Sequence, residues 1–217
     1  MKKYDYIVFD FDGTVCDSGE GIIACVKYAY DAFSIPHQSD VELRKFVGPP
    51  LLDSFMNYAG VDEEKAALMV EKYREKYKVD GVMMCTVYDG IENMLSCLKQ
   101  NGCKLAIGSS KPLVFIEKIL NEKGLINYFD YVSGVTFSNS CETKHDIITR
   151  ALDEMKCTDK SRALMVGDTR FDIVGANSVG IDSVGVTYGY GTLAELEENK
   201  ATYIADTADE IISIVGL

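Results

Sequence analysis

The chain opens on an apolar run. Tyr6, Ile7, Val8 and Phe9 are β-branched or aromatic, and the stretch Tyr4–Thr14 closes on Asp10-Phe11-Asp12-Gly13-Thr14. A run with so few polar interruptions reads as a strand buried on both faces, as in a parallel sheet. Beyond Thr14 the period turns helical. Asp17 and Glu20 fit a capping box ahead of Ile22, Ile23, Val26, Tyr30 and Phe33, and Ile35-Pro36 ends that helix. Ser39 and Glu42 repeat the box before a short helix, Val41–Phe46. Gly48-Pro49-Pro50 breaks it, and Pro50 suits the first turn of the next helix, Leu51–Ala59. Asp62 opens a fourth helix that runs to about Tyr77, with Ala66, Ala67, Met69, Val70 and Tyr73 as its apolar stripe; Asp80-Gly81 closes it.

From Asp89 helices and strands alternate. The pattern predicts helix 90–100, strand Lys104–Gly108, helix Pro112–Glu122, strand Tyr131–Val135 and helix Lys144–Met155. It continues with strand Ala163–Val166, helix Phe171–Val179, strand Ser183–Val186, a short strand near Tyr203 and a terminal helix, 207–214. Strands separated by ten-residue helices imply right-handed crossovers and a doubly wound parallel sheet, an α/β core of Rossmann-like type. The four helices after the first strand then form an all-helical domain, residues 16–82, inserted into a core made of 1–15 and 83–217. For the core to close, the two ends of the insertion must lie close together.

Composition narrows the partners. Of 217 residues, 47% are hydrophobic and 26% charged, as in a globular chain with a proper core. The 22 basic residues stand against 34 acidic ones, a net charge of −12, which disfavours nucleic acid because phosphate-backbone binding needs a basic face. An anionic substrate would therefore need local positive charge or a metal. No secretory leader or membrane-length apolar run is evident, so a cytoplasmic protein with no membrane partner is expected, as a monomer or homodimer. The seven cysteines (Cys16, Cys25, Cys85, Cys97, Cys103, Cys141 and Cys157) are odd in number and never spaced C-x-x-C, which reads as reduced thiols, not a disulfide frame or zinc site.

In an open α/β sheet, ligands bind beyond the carboxyl ends of the strands. The polar residues at the end of each apolar run are thus the candidates for chemistry. The first run gives Asp10 and Asp12, which two residues apart in an extended chain point to the same side. Leu105–Gly108 is followed by Ser109, Ser110 and Lys111, and Ala163–Val166 by Gly167-Asp168, with Asp172 four residues on. Lys144 begins the helix after Val135. Close carboxylates repel one another and are stabilised by a cation; acids, hydroxyl and lysine together make a site for Mg²⁺ and a phosphate. Asp168 and Asp172 also fit a helix cap and a first-turn acid. Lys144 has no such structural excuse, since a cation in a first turn opposes the helix dipole. Lys111 and Arg170 read as surface charges, and the tyrosines of the inserted helices (Tyr28, Tyr30, Tyr58, Tyr73, Tyr77) as packing.

This set resembles the haloacid dehalogenase-like hydrolase superfamily over nearly the whole chain. Asp10-Phe11-Asp12-Gly13-Thr14 looks like its first motif, Ser109 its second, Lys144 its third and Gly167-Asp168-Thr169-Arg170-Phe171-Asp172 its fourth. The inserted helices look like the cap of its first subclass. Val47–Leu51 and Tyr188-Gly189-Tyr190-Gly191 are similar to stretches of phosphoglycolate phosphatase and 5′-nucleotidase-like members. The resemblance implies an Mg²⁺-dependent phosphomonoesterase acting on a small phosphorylated metabolite. Asp10 would be the nucleophile and form an aspartyl-phosphate; Asp12 would serve as acid and then base. Asp10, the backbone carbonyl of Asp12, Asp168 and Asp172 would hold the metal. Ser109, with Ser110 as its rival, and Lys144 would bind the phosphoryl oxygens. Arg44, Lys45 and Phe46, ahead of the Gly-Pro-Pro break, either face the core, where Arg44 and Lys45 would help select the substrate, or lie on an exposed helix face.

Other readings compete. Dehalogenases of the superfamily lack the second acid, so Asp12 argues against them. A phosphosugar mutase of the β-phosphoglucomutase type is weakened by Leu51, which stands in the region where those enzymes carry an arginine. A non-enzymatic phospho-receiver or nucleotide-binding signalling domain gathers similar residues, but its phosphoacceptor comes after a later strand and it needs no inserted helices. A dinucleotide-binding module would want a G-x-G-x-x-G after the first strand, which is absent.

Overall fold

The computed structural model describes residues 2–136 and 142–217; Cys141 lies outside them. In chain order the elements are β1 (Tyr6–Phe9), β2 (Cys16–Asp17), α1 (Gly19–Ala32), α2 (Asp40–Leu43), α3 (Leu51–Ala59), α4 (Glu63–Val79) and β3 (Thr86–Val87). They continue with α5 (Ile91–Gln100), β4 (Lys104–Pro112), α6 (Leu113–Glu122), β5 (Tyr131–Val135), α7 (Lys144–Glu154) and β6 (Ala163–Gly167). The last are α8 (Arg170–Val179), β7 (Asp182–Val186), α9 (Leu193–Glu198), β8 (Tyr203–Ala205) and α10 (Ala208–Val215). The chain divides into two compact units, Met1–Cys16 with Val87–Leu217, and Asp17–Thr86. Among the described residues, no helix is long and apolar enough to cross a membrane.

The larger unit is built on a sheet of order β5-β4-β1-β6-β7-β8 whose neighbours all run parallel. This is the doubly wound α/β architecture that the alternating pattern predicts. Ile7, Val8 and Phe9 are wholly buried, as are Leu105–Ile107 beside them on one flank and Leu164–Val166 on the other. Each such side chain contributes about 1.5–3 kcal/mol on leaving water. Phe9 stands in register with Ile107 and with Val166, so the carboxyl end of β1 lies level with Ile107 of β4 and with Val166 near the end of β6. The chain winds from β1 to β4 and β5 on one side, then crosses to β6 on the other. That reversal is the switch point at which such sheets bind ligands.

Four local expectations change. Glu20 and Asp17 do not box α1: the cap position falls on Ser18, whose side chain does not cap the helix, and Asp17 belongs to β2, its carboxylate taking the N–H of Gly19. The helix expected over Val41–Phe46 divides into α2, whose Ser39–Glu42 box is formed, and a 3-10 turn at Arg44–Phe46. Strand β4 does not stop at Gly108 but runs on to Pro112, with a register shift against β5 between those two residues. Helix α9 has no counterpart in the predicted elements. It is capped by Thr192, whose side chain accepts from Glu195 N–H at 3.2 Å.

The smaller unit is helical. Its core gathers Tyr30, Phe46 and Phe55, with ring centroids 5.2–6.2 Å apart. Tyr73 and Tyr77 stack within it, while Tyr28 and Tyr58 are half-buried. Its two ends meet through a glycine contact: Gly21 of α1 lies against the carbonyl of Gly81, and a methyl group there would also fall 3.0 Å from the carbonyl of Met84. In an exposed helix interior, glycine to alanine would stabilise by about 0.8–1 kcal/mol. Here backbone occupies the space, so Gly21→Ala is expected to destabilise by about 1–3 kcal/mol, the cost of overpacking. Urea unfolding checks the sign; a stabilised variant would contradict the close approach.

Candidate active site

Asp10 comes directly after β1, and its N–H donates to the carbonyl of Val166 at 2.8 Å. Its carboxylate accepts from Lys144 Nζ at 2.7 Å. The same ammonium reaches Asp172 Oδ1 at 2.7 Å and donates to the carbonyl of Gly108 at 3.0 Å. One lysine from the start of α7 thus ties the ends of β1 and β4 to the first turn of α8. Asp10, Asp168 and Asp172 each offer an oxygen within 4.8 Å of the other two, and all three are buried.

Asp172 is the first-turn acid of α8, and the N-cap position falls on Thr169, not on Asp168. Asp172 Oδ2 accepts from the N–H and hydroxyl of Thr169, both at 3.0 Å, closing the first turn of α8, while Oδ1 faces Lys144. Asp168 is wholly buried at the end of β6. Thr14 Oγ1 donates to its Oδ1 at 3.3 Å and the N–H of Tyr190 to its Oδ2 at 2.8 Å. The turn carrying Tyr190 is held to the first motif by the Tyr188 hydroxyl, which donates to the carbonyl of Thr14 at 3.1 Å. Gly13, at φ +86°, and Gly189 press so closely on the Asp168 carboxylate that a Cβ at either position would overlap it.

Asp12 lies where the chain turns out of the strand. The chain leaves the extended conformation after Phe9, and the carbonyl of Phe11 accepts the N–H groups of Val15 and Cys16 at 3.0 Å. The Asp12 carboxylate accepts from Lys111 Nζ, at 2.8 and 3.0 Å from its two oxygens. It stands outside the three-carboxylate cluster, which leaves the backbone carbonyl as its means of reaching a metal. Lys111, read from sequence as a surface charge, is 8% exposed. The correction stems from the longer β4: alternation along it buries Ser109 and Lys111 and exposes Ser110. Of the two candidate hydroxyls, Ser109 is the one on the buried face. Arg170 is a surface charge as expected, 3.6 Å from Glu195 and stacked on Phe171. Arg44 and Lys45 are exposed in the smaller unit, Lys45 Nζ lying 4.4 Å from the centre of the Tyr58 ring.

Electrostatically the site is short of positive charge. Asp10, Asp12, Asp168 and Asp172 face two ammoniums, Lys111 and Lys144. Burial, then the charges of Asp172 and Asp10, push the Asp168 carboxyl well above the ordinary carboxylate range. Burial likewise raises Asp172, against the opposing pull of Lys144. Burial works against the Lys144 ammonium, but Asp10 and Asp172 outweigh it and hold its pKa above the usual lysine value. Two uncompensated negative charges on converging oxygens suit a divalent cation, and an all-oxygen donor set suits a hard one.

The sequence signal for the Tyr188–Gly191 turn was similarity alone, because what the turn supplies is a backbone N–H. Comparison with known proteins agrees with the geometry. A family model described as haloacid dehalogenase-like hydrolase matches residues 7–186. A 5′-nucleotidase of Pseudomonas aeruginosa is 35% identical over 95% of this chain and 93% of its own. The tyrosine-protein kinase PtkA of Mycobacterium tuberculosis is 30% identical over 97% of this chain and 72% of its own. The crystal structure of a "predicted phosphatase" from Clostridium acetobutylicum superposes with a TM-score of 0.92, at 41% identity over 99% of both chains.

The raised carboxyls have a consequence for stability. Folded Asp168 and Asp172 keep their protons to higher pH than the unfolded chain does, so over that interval the folded state binds more protons and metal-free stability falls as pH rises. A cation that binds the ionised cluster reverses this. The rise in Tm given by saturating divalent cation is therefore expected to grow from about pH 5 to about pH 8, with proton release on binding. Thermal melts with cation and with EDTA, and calorimetry in buffers of different ionisation enthalpy, check both; a pH-independent increment would contradict the assignment.

Proposed function

The chain belongs to the haloacid dehalogenase-like hydrolases, and from that membership we propose that it is an Mg²⁺-dependent phosphomonoester hydrolase acting through an aspartyl-phosphate on Asp10. The observation that carries the reading is the shared ammonium of Lys144 between Asp10 and Asp172, beside Asp168. It leaves a nucleophilic carboxylate, a cation site and a phosphate-binding lysine within one cluster.

Asp10, the backbone carbonyl of Asp12, Asp168 and Asp172 would hold Mg²⁺. When bound, the ion would screen the carboxylates from an incoming phosphate dianion and fix the ester in line. A carboxylate oxygen of Asp10 attacks phosphorus as the bond from phosphorus to the ester oxygen breaks. Asp12 gives its proton to that oxygen, and the alcohol departs. Water then attacks the aspartyl-phosphate, Asp12 takes a proton from it, and inorganic phosphate leaves with Asp10 regenerated. Ser109 donates its hydroxyl, and Lys144 its ammonium, to the phosphoryl oxygens as charge shifts onto them. Lys144 also holds Asp10 in place through the 2.7 Å hydrogen bond to its carboxylate. The helical unit, residues 16–82 by its sequence pattern, serves as a cap that selects the leaving group, with Arg44 and Lys45 as its candidate contacts.

The substrate is a small phosphorylated metabolite, for which a nucleoside 5′-monophosphate is the first candidate, given the likeness to a 5′-nucleotidase. Transfer to a protein tyrosine in place of water is a second reading, favoured by the likeness to PtkA. Phosphate release from p-nitrophenyl phosphate with Mg²⁺ is expected, and its loss with EDTA. Asp10→Asn should lower turnover at least about a thousandfold, the scale of losing a nucleophile. Turnover that survives EDTA or Asp10→Asn would refute the mechanism. A panel of nucleotides, phosphoglycolate and sugar phosphates identifies the ester, and transfer of the phosphoryl group to tyrosine, stable to hydroxylamine where an aspartyl-phosphate is not, would favour the second reading.

A further inference from the structure

One buried cation has no part in the two displacements. Lys111 lies in the last stretch of β4, on the same face as Ser109. Its ammonium donates to both oxygens of Asp12, and the two side chains are nearly sealed, at 5% and 11% exposure. The Nζ lies 5.7 Å from the centre of the Phe11 ring. Its backbone N–H donates to Ser109 Oγ at 3.3 Å. One ammonium bonded to both oxygens of a carboxylate fixes the plane of that group, so its rotation is no longer free. A backbone donor on Ser109 Oγ takes up one lone pair and leaves the hydroxyl hydrogen to point elsewhere. A single residue therefore orients groups from two separate segments.

We propose that Lys111 is a positioning residue for phosphoryl transfer, which sets the direction of the Asp12 carboxyl group and acts on the reaction through Asp12 without binding substrate. The proposal rests on the reading of Asp12 as the group that exchanges protons with the ester oxygen and with water. Proton donation matters most when the leaving oxygen is strongly basic, as in an alkyl ester, and least for p-nitrophenolate. A lysine that only supported the fold would slow both esters alike. A lysine that bound phosphate would raise KM for both.

The full chain, with Mg²⁺, is compared on p-nitrophenyl phosphate and on the alkyl monoester that it hydrolyses fastest. Lys111→Met should lower kcat for the alkyl ester at least about tenfold more than for p-nitrophenyl phosphate, within the range that general acid–base catalysis supplies, with KM little changed. Lys111→Arg should restore much of the difference. The pair Asp12→Asn with Lys111→Met, which removes both charges and leaves no unpaired one buried, should be no slower than Asp12→Asn alone. If Lys111→Met does not fold, the arginine and double variants carry the test. Equal losses on the two esters, a KM effect, or further loss in the double variant would overturn the positioning role. A wild-type chain that releases no phosphate from any ester refutes the functional reading itself, a different result from active wild type with the expected pattern missing.

Discussion

Four carboxylates brought out of water at one end of a sheet are the constraint on which this fold turns. An isolated buried charge is very costly, and like charges a few ångströms apart add to the cost. The chain meets it with two lysines placed at different points. Lys144 is shared by Asp10 and Asp172, and Lys111 donates to both oxygens of Asp12. Asp168 accepts from the Tyr190 N–H and the Thr14 hydroxyl, and burial with the charges of Asp172 and Asp10 makes its carboxyl resist ionisation. The arrangement is complete for protein alone only if protons stay on the cluster. A cation of charge two removes that condition.

Sheet order explains why these residues meet although they are up to 162 positions apart. With β1 central, the residues at its carboxyl end are flanked by β4 and β6, and register sets Asp10 level with Gly108 and Gly167. This much was legible in the sequence, because apolar runs announce parallel strands and the next polar residue must lie at the rim. Asp10, Asp168 and Lys144 came out of that rule. Lys111 did not, because the rule needs to know where a strand ends. Once β4 is seen to run on to Pro112, alternation alone places Ser109 and Lys111 on one face and Ser110 on the other.

Two further losses have a physical origin. The strand ends at Phe9, and the Phe11 carbonyl gathers a turn around Asp12 that the apolar run does not announce. The support given to Asp168 by the Tyr188–Gly191 turn is made by a backbone N–H and by glycines that permit close approach. Neither leaves a side chain whose chemistry advertises the role. Asp172 shows the reverse difficulty. Its capping and its facing of Lys144 use different oxygens, so a choice between cap and ligand was never required.

The division of labour between the lysines bears on what a core of this kind can decide. A carboxylate that is to attack phosphorus must stay charged yet be released from its partner as the bond forms. Sharing Lys144 with Asp172 provides for this, since the ammonium keeps one anion when it gives up the other. A carboxyl group that passes a proton in each direction needs a fixed orientation more than it needs release, and a partner bonded to both of its oxygens provides that. Both devices act on the phosphoryl group and the oxygens directly attached to it. Neither senses the remainder of the ester or the identity of the acceptor. Similarity to a named nucleotidase and to a named tyrosine kinase over nearly the same stretch is what a core with that blindness would produce. On the proposed function, discrimination among substrates would fall to residues outside the cluster.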